Sequence, residues 1–206
     1  MLSTALKNNV QWAAEQDAAF FEAMESGQSP KILWLGCSDS RAPPNTICGL
    51  PPGEIFVHRN IANVCVPSDI NFLSVLEYAV LHLKVESIVV CGHYGCGGVN
   101  AALGHACAGG VIDNWLCNIR SVAHSHRKRL AAIEDPVQRS NLLAELNVAS
   151  SVFAIAHSPI VQAAWARGQN LSVNGWVFRL SDGRLEDLGI AVQGPEEDPE
   201  FKLVEK

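Results

Sequence analysis

Three features of the sequence predict an α/β fold, a mostly parallel central β-sheet flanked by helices with an antiparallel edge strand near the C-terminus. Short runs of branched and aromatic residues stand at Ile32–Leu35, Ile55–His58 and Ser87–Cys91, spaced widely enough for crossover connections. Helical periodicity fills the interval before the third run and most of the chain after it. A last pair of runs, Leu171–Leu180 and Leu185–Ile190, is joined by Ser181-Asp182-Gly183, which has the composition of a hairpin turn.

The elements follow in order. From Ser3 to Glu25, Leu6, Val10, Ala13, Phe20 and Met24 recur near helical spacing, and one amphipathic helix is expected, capped by Ser3 or Thr4 and ended by Gly27 and Pro30. Between the second and third strands, Phe72, Leu73, Leu76, Ala79, Val80 and Leu83 keep helical period over Asp69–Leu83. Helices are then expected over Gly97–Ala106, Ile112–Ile133 and Pro136–Arg167, the last broken near Pro159. The tail from Gly194 is acidic and proline-rich, and is expected to be loosely held. No repeat or linker divides the 206 residues, so a single domain, 1–206, is expected, with 1–27 as a helical arm.

Composition narrows the function. Fifteen basic against 21 acidic residues give a net charge of −6, which argues against general affinity for nucleic acid or an anionic membrane. No apolar run reaches the length of a membrane span, and the N-terminus lacks an export pattern, so a cytoplasmic protein is expected. Seven cysteines in such a chain are thiols or metal ligands sooner than a disulfide framework.

Chemistry in parallel sheets collects at the carboxyl ends of the strands. Gly36-Cys37-Ser38-Asp39-Ser40-Arg41 follows the first strand, and Gly92-His93-Tyr94-Gly95-Cys96-Gly97-Gly98 follows the third. His93 and Cys96, three apart, share one face of a tight turn, and Cys37 sits on the expected neighbouring strand. Together they form a Cys₂His set for zinc with one coordination position open. Two thiolates cancel the charge of Zn²⁺, so the metal alone acidifies water weakly. Asp39, held by Arg41, is placed to take the proton, and it is close enough to swing onto the metal as a fourth ligand. Backbone N–H groups of Gly97 and Gly98 at a helix start suit developing negative oxygen. The glycines of this segment lack the Gly-Lys-Ser/Thr of a phosphate loop, which excludes nucleotide binding of that type.

The stretch from Lys31 to Ile190 resembles the β-class carbonic anhydrases. The resemblance rests on Cys37-Ser-Asp39-Ser-Arg41, His93-Tyr-Gly-Cys96, Gly53-Glu-Ile-Phe-Val-His-Arg-Asn-Ile-Ala-Asn63 and Glu77-Tyr-Ala-Val80. It implies one Zn²⁺ per subunit on Cys37, His93 and Cys96, and an Asp39–Arg41 dyad. It also implies reversible hydration of carbon dioxide to bicarbonate and a proton by attack of zinc-bound hydroxide, in a homodimer or homotetramer. A bicarbonate pocket in the family would draw on Trp34 and Arg59, with Phe178 here in place of a tyrosine. A zinc-holding protein without turnover, capped by Asp39, is the competing reading, and a hydrolase of a CO₂-like molecule is a third.

The remaining candidates have plainer readings. Cys48, Cys65, Cys91, Cys107 and Cys117 are expected to be packing residues. His58 and His82 are expected in the core or an interface, and His105, His124, His126 and His157 on helices. Trp12, Trp115, Trp165 and Trp176 are expected to make core or subunit contacts.

Overall fold

The structure is a computed structural model that describes residues 1–104 and 108–195. Among them, five strands form one sheet in the order β2-β1-β3-β4-β5. The strands are β1 (Ile32–Cys37), β2 (Ile55–Asn60), β3 (Ser87–His93), β4 (Ser172–Arg179) and β5 (Arg184–Val192). β1 pairs in parallel with β2 and β3, and β3 with β4, while β4 and β5 are antiparallel. The predicted sheet is therefore present. Each of the first three strands runs two residues beyond its apolar run, and the extension makes Cys37 and His93 the last residues of neighbouring strands. β3 is buried over six of its seven residues because strands flank it and helices cover it, which is why its sequence is apolar without alternation. The hairpin closes through Gly183 at φ 70, a left-handed value that glycine adopts without a Cβ clash.

The N-terminal arm corrects the expectation of one helix. α1 (Leu2–Ala14) and α2 (Ala18–Glu25) are separated at Asp17, whose carboxylate accepts the Phe20 N–H at 2.8 Å and starts a second helix. Ser3 and Thr4 lie inside α1, which begins without a side-chain cap. A short helix, α3 (Pro44–Cys48), lies between β1 and β2. The Asp69–Leu83 helix is α4 (Ile70–Glu77) continued by a wider π turn over Tyr78–Leu83, with Asp69 as its cap. α5 is Gly97–Leu103, ended at Gly104, whose backbone is extended; the rest of the expected helix, 105–106, lies outside the described residues. The Ile112–Ile133 run divides at His126 into α6 (Gly110–Ser125) and α7 (Arg127–Ala131). The expected break at Pro159 separates α8 (Pro136–Ala156), capped by Asp135, from α9 (Pro159–Ala166), capped by Ser158.

One sheet face carries Leu33, Leu35, Ile88, Val90, Val173 and Val177 against α4, α8 and α9. Burying each such aliphatic side chain contributes about 1.5–3 kcal/mol. α8 approaches closely because glycines stand beneath it. A Cβ on Gly92 would meet Val148 Cγ2 at 2.8 Å, and one on Gly175 would meet Val148 Cγ1 at 3.0 Å. The opposite face holds Trp34, Val89, Cys91 and Phe178 with Ala42 and Ile55. A third cluster, under α5, α6 and α8, closes around Cys37 and Cys96. Among the described residues, no single helix is long and apolar enough to cross a membrane.

Candidate metal centre

The carboxyl ends of β1 and β3 lie side by side, and the chain turns from β3 through Tyr94 and Gly95 to Cys96, the residue before α5. Gly95 at φ 70 makes that turn. The donor atoms of Cys37, His93 and Cys96 consequently all lie within 4.8 Å of one another, and all three residues are buried. The two sulfurs stand 3.9 Å apart although 59 residues separate them.

The chemistry of these donors fits a divalent soft metal. His93 Nδ1 faces the Tyr94 carbonyl at 3.1 Å, which fixes the hydrogen on Nδ1 and leaves a lone pair on Nε2. That Nε2 is buried and has no hydrogen-bond partner, a costly condition that a metal ion would relieve. Hydrogen bonding with Cys96 lowers the Cys37 thiol against the opposing effect of burial, with His93 and the Asp39 and Ala62 N–H groups assisting. Cys96 moves the other way, through its contact with Cys37 and its burial. The two facing sulfurs form a donor pair that a dication would bridge in place of that contact. Contact with Cys37, then Asp39 and the Tyr94 carbonyl, raises His93 although burial opposes its charge.

Asp39 lies two residues past Cys37, with Oδ2 3.7 Å from His93 Nε2. Arg41 grips it by three bonds: Nε to Oδ1 at 2.9 Å, Nη2 to Oδ2 at 2.7 Å and its backbone N–H to Oδ1 at 2.9 Å. Those bonds to Arg41 hold the Asp39 carboxyl well below the usual carboxylate range. Arg59 in turn fixes the loop: its Nε donates to the Cys37 carbonyl at 2.8 Å, and Nη2 donates to the Asp39 and Ala42 carbonyls. Trp34 is buried edge-on to Trp176, and a Cβ on Gly36 would collide with its Nε1. Phe178 shares its cluster.

At α5, the Val99 and Gly98 N–H groups face the Cys96 sulfur and favour its charged form. Gly98, expected to face substrate, thus also has its N–H beside the Cys96 sulfur. A Cβ on Gly98 would also press on Ile61 Cγ2 at 3.0 Å and Ala62 Cβ at 3.2 Å. That neighbouring turn, Ile61–Asn63, closes a segment that carried the family resemblance but was given no role in the site, and the Ala62 N–H donates to Cys37 Sγ at 3.4 Å. Ala62 holds φ 62 and Asn63 φ 46. Asparagine tolerates that region, but alanine costs roughly 1–2 kcal/mol there and gives no sequence signal of it. Tyr94 donates to Glu145 at 2.8 Å and ties the metal loop to α8.

The other candidates separate cleanly. Cys91 is buried beside Trp34, and burial raises its thiol. Cys48 and Cys65 are half-buried, with Cys65 pushed up to about 12 by burial. Cys117 is exposed on α6, so its assignment to packing is corrected. His58 is buried on Phe72, whereas His82 is exposed and stacks on Tyr78. Trp165 is buried, and Trp12 is 40% exposed. His105 and Cys107 lie outside the described residues.

The donor set and its position at the carboxyl ends of two inner parallel strands are those of a metal-binding α/β protein. Comparison with known proteins supplies the family. The carbonic anhydrase profile matches residues 32–185, and the chain belongs to the β-class carbonic anhydrases. A carbonic anhydrase of Emericella nidulans is 49% identical over 191 residues, covering 91% of this chain and 83% of the relative. A tetrameric β-carbonic anhydrase from Sordaria macrospora superimposes with a TM-score of 0.88 at 45% identity, over 93% of this chain and 98% of that one. A Coccomyxa β-carbonic anhydrase bound to acetazolamide gives 0.90 at 39% identity, over 94% and 89%.

Proposed function

We propose that this protein is a zinc-dependent carbonic anhydrase that interconverts carbon dioxide and bicarbonate at the site formed by Cys37, His93 and Cys96. The observation that carries the reading is the buried, unpartnered Nε2 of His93 facing two sulfurs, with a tethered carboxylate 3.7 Å away. Those three side chains would hold Zn²⁺, which when bound supplies a water molecule acidic enough to attack carbon dioxide.

The chain's own residues do the rest. Arg41 occupies both Asp39 oxygens and orients the carboxylate toward the metal side of His93, where Oδ2 accepts a proton and passes it outward. The same oxygen is the group that would close the metal to substrate. Arg59 keeps Cys37 and Asp39 on one rigid loop. The Gly97 N–H, in the first turn of α5, is the group assigned to a substrate oxygen. Trp34, Arg59 and Phe178 border the region where a bicarbonate pocket would lie. The arginine's bonds to three carbonyls and the missing phenol hydroxyl weigh against a strong one.

The protein acts as a homo-oligomer in this reading. α1 buries none of its residues and leaves Leu2, Leu6 and Val10 exposed at four-residue spacing. The tetrameric Sordaria relative supports an assembly that covers them.

Stopped-flow CO₂ hydration on protein of measured zinc content tests the function. One zinc per chain with turnover is expected. A full zinc load without turnover at alkaline pH would favour the zinc-holding alternative.

A further inference from the structure

Three consecutive carbonyls of the Ile61–Asn63 turn are each taken by a side chain from a distant helix. Trp115 Nε1 on α6 donates to the Ile61 carbonyl at 2.8 Å. Asn147 Nδ2 on α8 donates to the Ala62 carbonyl at 2.8 Å, and Ser151 Oγ to the Asn63 carbonyl at 3.2 Å. Ser151 Oγ also accepts the Cys65 N–H at 3.1 Å, and the Asn60 amide bridges Val64 N and O at 2.8 Å each. A turn with two successive left-handed non-glycine residues does not persist unless its surroundings over-determine it. Here the surroundings are these clamps. The arrangement directs the Ala62 N–H at Cys37 Sγ, 3.4 Å away inside the buried cluster.

We propose that Trp115, Asn147 and Ser151 are positioning residues that hold the Ala62 N–H on the Cys37 sulfur and so limit the negative charge this thiolate passes to the metal. The proposal rests on zinc binding at Cys37. Two thiolates neutralise a dication and blunt its pull on water. An N–H···S bond draws density from the sulfur and restores part of that pull, and the Gly98 and Val99 N–H groups facing Cys96 act in the same sense.

The test uses the full chain loaded with cobalt(II) as a spectroscopic stand-in for zinc. Wild type should show a thiolate-to-cobalt charge-transfer band that Cys37→Ser weakens or abolishes. A wild type without that band would refute the metal assignment itself, and the proposal with it. Given the band, Ser151→Ala, Asn147→Leu and Trp115→Phe should shift it to lower energy, because a sulfur without its N–H partner holds its lone pairs less tightly. The zinc forms of these variants should hydrate CO₂ on the order of tenfold more slowly. Ser151→Thr keeps a hydroxyl and should keep the wild-type band. If Asn147→Leu or Trp115→Phe fails to fold, Ser151→Ala, which removes one oxygen within a helix, decides alone. A band unmoved in Ser151→Ala overturns the proposal whatever happens to the rate.

Discussion

Asp39 Oδ2 stands 3.7 Å from Nε2 of His93, near enough, in the proposed reaction, to accept a proton at the zinc or to occupy the zinc itself. In that proposed reaction Arg41, bonded to both carboxylate oxygens, selects between the two. Asp39→Asn and Arg41→Ala should therefore keep zinc near one per chain and lose about a hundredfold or more in kcat, the range of a lost proton-transfer group. Zinc analysis beside stopped-flow rates checks this. Full activity in Asp39→Asn would remove the carboxylate from the reaction.

The same pair sets the expected pH response. The hydrogen bonds from Arg41 lower the Asp39 carboxyl, so the group stays ionised far into acid. Its contribution to stability is complete above the ordinary carboxylate range of about 3.9 and is lost only as pH falls through its lowered value. A fall in turnover between about pH 8.5 and 6.5 thus cannot come from Asp39 taking a proton. It is expected instead from the carboxylate displacing water at the metal, which is a weaker ligand than hydroxide. A rate profile flat across that interval would dismiss the displacement.

His58 predicts a separate acid effect on the fold. It is buried on Phe72 with Nε2 unpartnered, and burial lowers its pKa, with Asp69 opposing only in part. The neutral ring is favoured in the folded state. Stability is therefore full above the unfolded value of about 6.5 and declines as pH falls toward the lowered folded one, by up to about 1.4 kcal/mol per pH unit. His58→Leu should raise the melting temperature more at pH 5.5 than at pH 8. An equal change at both would show that the ring does not take up a proton on unfolding.

Close packing of α8 on the sheet can be tested at Gly92. A Cβ there would stand 2.8 Å from Val148 Cγ2, so Gly92→Ala should cost about 1–3 kcal/mol by overpacking. Adding Val148→Ala should recover part of the loss, and denaturant unfolding of the four proteins reads the coupling. Strict additivity would place the strain elsewhere.

The sheet and the donor trio were legible because they rest on local signals. Apolar runs mark β1 and β3, and glycine and polar residues after them mark the strand ends where Cys37 and His93 stand. The Asp17 break between α1 and α2 was hidden, because apolar periodicity continues through it and only the cap at Phe20 reveals the restart. The clamped turn was hidden more deeply. Nothing in Ile61-Ala62-Asn63 announces left-handed backbone at an alanine, and its partners Trp115, Asn147 and Ser151 lie 54 to 88 residues away. Trp115 reads as a packing residue, and its hydrogen bond exists only once the helices are assembled.

The most direct test of the account is anomalous diffraction at the zinc absorption edge from crystals of active protein. One peak per chain is expected, about 2.3 Å from Cys37 Sγ and Cys96 Sγ and about 2.0–2.1 Å from His93 Nε2. A protein that hydrates carbon dioxide while showing no metal among these three side chains would contradict it.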